Sequence, residues 1–243
     1  MTRRNRVAAM LSWLLLAASP AFAVDPPCAS PSAEPCTCRL GALRPLQGAL
    51  GLEQVRYGAA RIAERADHAW AALRADPIKV VTGPGGALFI LDHHHGAGAW
   101  LLAGYTEGVC QVMPRPPFRT EAEFWAGLEA DHLVRLADAD GKPIGPEQLP
   151  RSLGFMPDDP YRTLAGHLRR AGGFCRAAMQ LEFAEFTWAD WLRTRPELPV
   201  GTVRTASASL VPAAMALVRS PAARGVPGYA GDLPPGARCP RDD

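Results

Sequence analysis

All six cysteines of the chain, Cys28, Cys36, Cys38, Cys110, Cys175 and Cys239, follow a leader that directs export, and this combination constrains the fold most. Arg3, Arg4 and Arg6 form a charged n-region and residues 7–18 a short apolar h-region. Ala21-Phe22-Ala23 then supplies the small-x-small pattern that signal peptidase cleaves. About twelve apolar residues cannot cross a bilayer core that needs roughly 20, and no cysteine directly follows them to carry a lipid. The expected mature chain therefore starts at Val24, lies in a periplasm or outside the cell, and has no membrane span. In that oxidising setting an even cysteine count favours disulfides, although the sequence does not choose among the pairings. Cys36 and Cys38 lie too close along the chain to pair with each other, so each is expected to reach elsewhere. A metal centre is the competing reading of Cys36-Thr37-Cys38, but it lacks a second Cys or His pair at finger-like spacing.

Export also changes the charge. The 243 residues carry 26 Lys and Arg against 24 Asp and Glu, and loss of the three leader arginines leaves 23 basic against 24 acidic. A nearly neutral mature chain excludes a strongly basic binder of long nucleic acid. With 48% apolar residues the chain is not disordered, and its 23 Gly and 24 Pro predict many loops.

The periodicity places elements along this frame. Residues 24–44 form a Cys- and Pro-rich segment, expected to be extended. Apolar positions Leu52, Val55, Ala59, Ile62, Ala66, Ala69 and Leu73 recur at three and four, which predicts one or two amphipathic helices stopped at Asp76-Pro77. Residues 78–81 and 88–91 read as strands around the turn Gly83-Pro84-Gly85-Gly86, and residues 96–103 as a short helix. A strand over 109–113, a helix to Asp131 opened by Thr120 and Glu123, and a strand over 133–136 follow. Helices are expected over 161–171 and 181–193, with an Ala-rich one over 209–219. The expected organisation is a leader over 1–23, the segment 24–44, an α/β domain over 45–200 with a helical C-terminal half, and a helix with an irregular tail over 201–243.

Chemistry concentrates where a strand turns into a helix. Asp92-His93-His94-His95-Gly96 sets a carboxylate and three imidazoles against a helix N-terminus, whose unpaired N–H groups favour anions. Such a turn can bind phosphate, run acid–base chemistry, or hold a divalent metal through Asp92 and His94. Consecutive histidines in a strand point alternately, so at most two of the three would share a face. A site role requires the rings of His94 and His95 to face a cavity; a structural role engages them in local hydrogen bonds. Downstream, Asp158 or Asp159 can cap the helix opened by Pro160 and Tyr161, whereas Arg162 in the first turn opposes the helix dipole and needs a carboxylate or a bound anion. Phe183, Phe186, Trp188 and Trp191 read as a core face, with Glu185 either solvent-facing or a site carboxylate.

Pro45-Leu46-Gln47 with Gly51 and Val55, the Asp-His-His-His turn, Asp158-Asp159-Pro160-Tyr161-Arg162, Gly172-Gly173-Phe174 and Glu185-Phe186-Thr187-Trp188-Ala189 occur in this order. The series, from about residue 40 to about 230, resembles the ParB-like nuclease family within the larger ParB and sulfiredoxin group. The resemblance implies a compact α/β domain with a small mixed sheet, flanking helices, and a phosphate-binding turn at Asp92 to Gly96. Gly96 stands where many relatives carry an arginine that grips phosphate, and Leu46 where they commonly carry threonine. Kinase and nucleotide-switch roles known in that group fit poorly with export, since no steady nucleotide triphosphate supply exists there.

The function these readings favour is hydrolysis of a phosphate ester or phosphodiester. Asp92, His93, His94 and His95 are the catalytic candidates, and Gly96, Asp159, Tyr161, Arg162 and Glu185 the candidates for substrate contact. The expected partner is a phosphate-containing small molecule or a short or single-stranded nucleic acid. The alternative is a non-catalytic envelope binding module in which the same residues only structure the turn. N-terminal sequencing of the exported protein is expected to begin at Val24; an intact Met1 on a cytosolic chain would overturn the export reading.

Overall fold

A computed structural model describes residues 27–28, 34–175 and 183–234; the leader and Cys239 lie outside the described residues. Five strands form a mixed sheet: β1 (Cys36–Arg39), β2 (Arg44–Pro45), β3 (Ile78–Thr82), β4 (Leu88–Ile90) and β5 (Glu107–Val112), in the order β1-β5-β3-β4-β2. β3 and β4 pair antiparallel through the glycine turn, whereas β5 joins β3 in parallel after a helical crossover. β1 closes the edge antiparallel to β5.

Alternation along the strands gives the sheet two apolar faces. Ile78, Val80 and Ile90 join the core beneath α1 (Leu52–Glu64), α2 (Ala66–Ala75) and α3 (His94–Leu102). Val81 and Phe89 join Phe124 and Leu128 of α4 (Glu121–Ala130) in a second cluster. The period read over 52–73 divides at Arg65, whose extended φ of −131° separates α1 from α2. Thr120 caps α4 through the Glu123 N–H at 3.1 Å, as expected. Against expectation, residues 133–136 form no strand; only Arg135 makes an isolated bridge, to Gln47. That short pairing lacks the neighbours needed to propagate a ladder.

α3 is the central element. Ala97, Gly98, Ala99 and Trp100 are all buried, which explains its nearly uniform apolar composition. α1 crosses it closely because Gly58 has no side chain: a Cβ there would lie 2.8 Å from Ala99 Cβ. The third core belongs to α5 (Pro160–Arg170), α6 (Ala184–Arg193), α7 (Val200–Ala206) and α8 (Val211–Val218). Leu164, Leu168, Trp188, Leu192, Val203 and Val218 meet there without exposure. α7 lacked a clear apolar period in the sequence. Among the described residues no helix is long and apolar enough to cross a membrane.

Cys28 pairs with Cys36, and Cys38 with Cys110, so the two closely spaced cysteines do reach elsewhere. Cys175 is also disulfide-bonded. The disulfides are compatible with an extracellular location. Cys38–Cys110 ties β1 to β5 across a separation of 72 residues, against 8 for Cys28–Cys36. Loop-closure entropy therefore predicts unequal losses on replacing each pair by serine, about 4 kcal/mol for Cys38 with Cys110 and about 2.5 kcal/mol for Cys28 with Cys36. Urea unfolding of the two double variants measures this order; equal losses would remove the entropic account.

Candidate functional site

The turn from β4 into α3 is built from its own backbone outward. Asp92 Oδ1 accepts the His93 N–H at 2.7 Å, and His93 itself adopts a left-handed conformation with φ 73°. A non-glycine residue held there is strained locally and is sustained by its surroundings. The turn ends in α3, which starts at His94 rather than at Gly96, so His94 and His95 occupy the first helical turn instead of strand positions. The alternation expected of a strand therefore does not apply. The first helical bond runs from the Ala97 N–H to the His93 carbonyl at 2.8 Å, leaving the N–H groups of residues 94–96 ahead of the ladder.

The three imidazoles have different partners. His94 Nε2 accepts the Leu46 N–H at 3.0 Å, and His95 Nε2 accepts the Gly51 N–H at 3.0 Å. An acceptor nitrogen carries no proton, so both rings are neutral with the proton on Nδ1. Burial pushes the His94 pKa down to about 3 and holds His95 well below the usual histidine range, with the Arg162 cation acting in the same direction. The Nε2 lone pairs that a base or metal ligand would need are thus already occupied. As a metal ligand His94 does not fit, and among the described residues no group of three or more His, Cys, Asp or Glu is placed to hold a metal ion. His93 differs. Its Nε2 lies 2.9 Å from Asp76 Oδ2, while its buried Nδ1 has no hydrogen-bond partner and sits 3.7 Å from Asp92 Oδ2.

A cavity of about 290 Å³ opens beside this turn. Asp92, His93, His94, His95 and Gly96 line it together with Arg162 and Glu185, so seven of the nine residues singled out in the sequence share one space. Gln47, Gln54, Arg169, Phe183 and Phe186 also line it; Gln54 and Arg169 carried no local sequence signal, and Phe183 and Phe186 had read as core. Arg162 is only 8% exposed. It donates to Gln54 Oε1 at 3.2 Å, lies 3.7 Å from Glu185, and stands 5.3 Å from the Phe186 ring centre. Its Nε is buried without a partner. Burial lowers the Arg162 pKa to about 10, opposed by Glu185, so the guanidinium remains charged near neutrality. Glu185 also pairs with Arg169 Nε at 2.8 Å. Gln54 reaches this place because Gly166 faces it: a Cβ on Gly166 would fall 1.4 Å from Gln54 Nε2.

Asp159 and Tyr161 stand outside the cavity lining. Asp159 is fully buried, caps α5 through the N–H groups of Tyr161 and Arg162, and pairs with Arg193 at 2.9 Å. Tyr161 donates its hydroxyl to the Leu198 carbonyl at 2.6 Å. Asp158 accepts the Leu52 N–H at 2.9 Å and so caps α1 from a distance. The arrangement around the cavity offers fixed donors, one buried cation and two carboxylates, a combination suited to a hydrogen-bonded anion.

The family model described as "Putative ParB-like nuclease" matches residues 36–194. A search of curated proteins finds no match. The crystal structure of protein Atu1540 from Agrobacterium tumefaciens is similar, at 28% identity and a TM-score of 0.73, over 81% of this chain and 97% of that one.

The buried neutral histidines make stability depend on pH. In the unfolded chain they bind protons below about 6.5, whereas folded His94 does so only near 3. The His94 contribution is therefore complete above the unfolded pKa and is lost as pH falls from about 6.5 toward 3, by about 1.4 kcal/mol per pH unit, and His95, lowered in the same direction, adds to the loss. Replacing His94 by Ala leaves the Leu46 N–H orphaned and a void, and should cost about 2–4 kcal/mol while flattening this slope. Unfolding midpoints between pH 7 and 4.5 measure both effects; an unchanged slope in the variant would remove His94 as their source.

Proposed function

Because the chain belongs to the "Putative ParB-like nuclease" family, we propose that it is an exported protein that binds the phosphate group of an ester in the cavity beside α3 and hydrolyses that ester. The observation that carries this reading is the convergence of the Asp92-to-Gly96 turn with a buried Arg162 whose Nε has no partner. Arg162, the first turn of α3 and the Nδ1–H groups of His94 and His95 would stabilise negative charge as it grows on phosphate. Because both rings are locked neutral, they act as donors and not as bases.

The general base in this reading is His93. Asp76 accepts a hydrogen bond from Nε2–H and so leaves the lone pair at Nδ1; that nitrogen is buried, so the base role requires a shift of the His93 ring that admits the water attacking phosphorus. Asp92 holds the backbone of the same residue in its left-handed conformation. Glu185 orients the two guanidiniums of Arg162 and Arg169. A nearly neutral mature chain favours a phosphate-containing small molecule or a short or single strand over a long duplex. Export is supported by the leader and by the disulfides. A second reading, a non-catalytic binding module, is favoured by the engagement of His94 and His95 with backbone amides.

The test uses protein from Val24 onward against phosphomonoesters, phosphodiesters and single-stranded oligonucleotides, with and without divalent cations. His93→Ala is expected to lower turnover by about 10²–10⁴-fold per folded molecule, with retention of the fold checked by thermal melts. Phosphate binding without turnover would move the conclusion to the binding module, and neither binding nor turnover would overturn the phosphate reading itself.

A further inference from the structure

Four cysteine sulfurs converge on one face of the sheet edge. Cys36 and Cys38 alternate along β1 and point to the same face, where both join the core together with Cys110 of β5. Cys28 packs against that core from the preceding segment. The register across the edge sets Cys36 opposite Cys110 and Cys38 opposite Gly108. The bonds follow a different pattern. Cys110 is joined diagonally to Cys38, at a Cα separation of 5.9 Å, and Cys36 is joined to Cys28. Cys36 Sγ nevertheless lies 3.3 Å from the carbonyl oxygen of Cys110, its cross-strand partner.

The same backbone can therefore hold a second arrangement, with Cys36 bonded to Cys110. Directly opposed residues of an antiparallel pair have Cα atoms about 4.5–5.5 Å apart, inside the span that a disulfide bridges. The alternative bond closes a separation of 74 residues, against 72 for the bond present, so the long loop it removes from the unfolded chain is nearly the same. Access decides where exchange begins. Cys36, Cys38 and Cys110 are 6%, 4% and 0% exposed, whereas Cys28 is only partly buried. An external thiolate therefore meets Cys28 first.

We infer that these four cysteines form a redox switch with two disulfide arrangements, in which reduction at Cys28 moves the bond of Cys110 from Cys38 to Cys36. The reductant is an external dithiol. One of its thiolates attacks Cys28 Sγ, breaking the bond to Cys36, which leaves as a thiolate. Cys36 then attacks Cys110 Sγ, and Cys38 leaves and takes a proton. The second thiol of the reductant closes on the first, releasing Cys28 as a thiol. The net change oxidises one dithiol to its disulfide and places its two protons on Cys28 and Cys38. The covalent tie from the N-terminal segment to β1 opens, leaving the Cys28 N–H on the Thr37 carbonyl at 3.1 Å, while β1 stays bonded to β5.

The test treats the protein from Val24 onward with one equivalent of dithiothreitol, quenches with acid, alkylates and maps the labels by peptide mass spectrometry. The labels are expected on Cys28 and Cys38, with a peptide that links Cys36 to Cys110. Labels on Cys28 and Cys36 with Cys38–Cys110 intact overturn the inference. Labels on Cys38 and Cys110, or on none of the four until the protein unfolds, also overturn it. Cys28→Ser reproduces the first step without reductant, because it leaves one thiol shared between two positions. Cys38 is then expected to carry at least about one tenth of that label, since bonds closing nearly equal loops should differ by no more than about tenfold in population. Label confined to Cys36 in this variant, with its fold confirmed by thermal melts, removes the second arrangement.

Discussion

Two backbone amides, those of Leu46 and Gly51, end on the Nε2 atoms of His94 and His95, and the arrangement of the whole site depends on these bonds. Each satisfies a buried donor that would cost about 1–3 kcal/mol if left unpaired. Together they clamp the first turn of α3 against the segment 46–51. That segment continues the connection: the Leu50 N–H meets the Pro157 carbonyl at 2.9 Å, and the Asp159 N–H meets the Leu50 carbonyl at 2.8 Å. Asp159 then caps α5, and α5 carries Arg162. A chain of short hydrogen bonds thus runs from the histidine turn to the buried guanidinium.

The same arrangement explains why the site tolerates its charges. An imidazolium at a helix N-terminus beside Arg162 would face two repulsions and the cost of burial. Burial keeps both rings neutral instead, and backbone donors occupy their Nε2 atoms. Arg162 is itself taken from water, and Glu185 offsets that penalty without covering every donor, since Nε is left buried and unpaired. A buried donor of this kind is expensive in an isolated fold and inexpensive when a ligand completes it. Strain at His93 belongs to the same pattern, because its left-handed backbone is held by Asp92 and its ring by Asp76.

The outer frame is simpler. The sheet puts α3 between α1 and β3, and a disulfide secures the β1 edge that would otherwise be held by a four-residue strand alone. The crystal structure of the Agrobacterium protein has a similar fold at 28% identity, so the frame survives extensive change in side chains.

The sequence by itself determined the local elements, because apolar spacing, glycine turns and capping residues act over a few positions. It marked α1 and α2, the β3–β4 turn, Thr120 as a cap and the Asp92-to-Gly96 turn, and its ordered motifs carried the family. The strand expected over 133–136 is only one bridge, since a ladder needs partners that local propensity does not specify. The division of labour among three adjacent histidines was decided by tertiary structure alone. The donors that occupy His94 and His95 come from 48 and 44 residues away, and the carboxylate on His93 from 17 residues away. Gln54, Arg162 and Phe186 likewise meet only when α1, α5 and α6 pack. Local spacing can nominate a group for chemistry, but which nitrogen of its ring is available depends on partners that folding brings from distant parts of the chain.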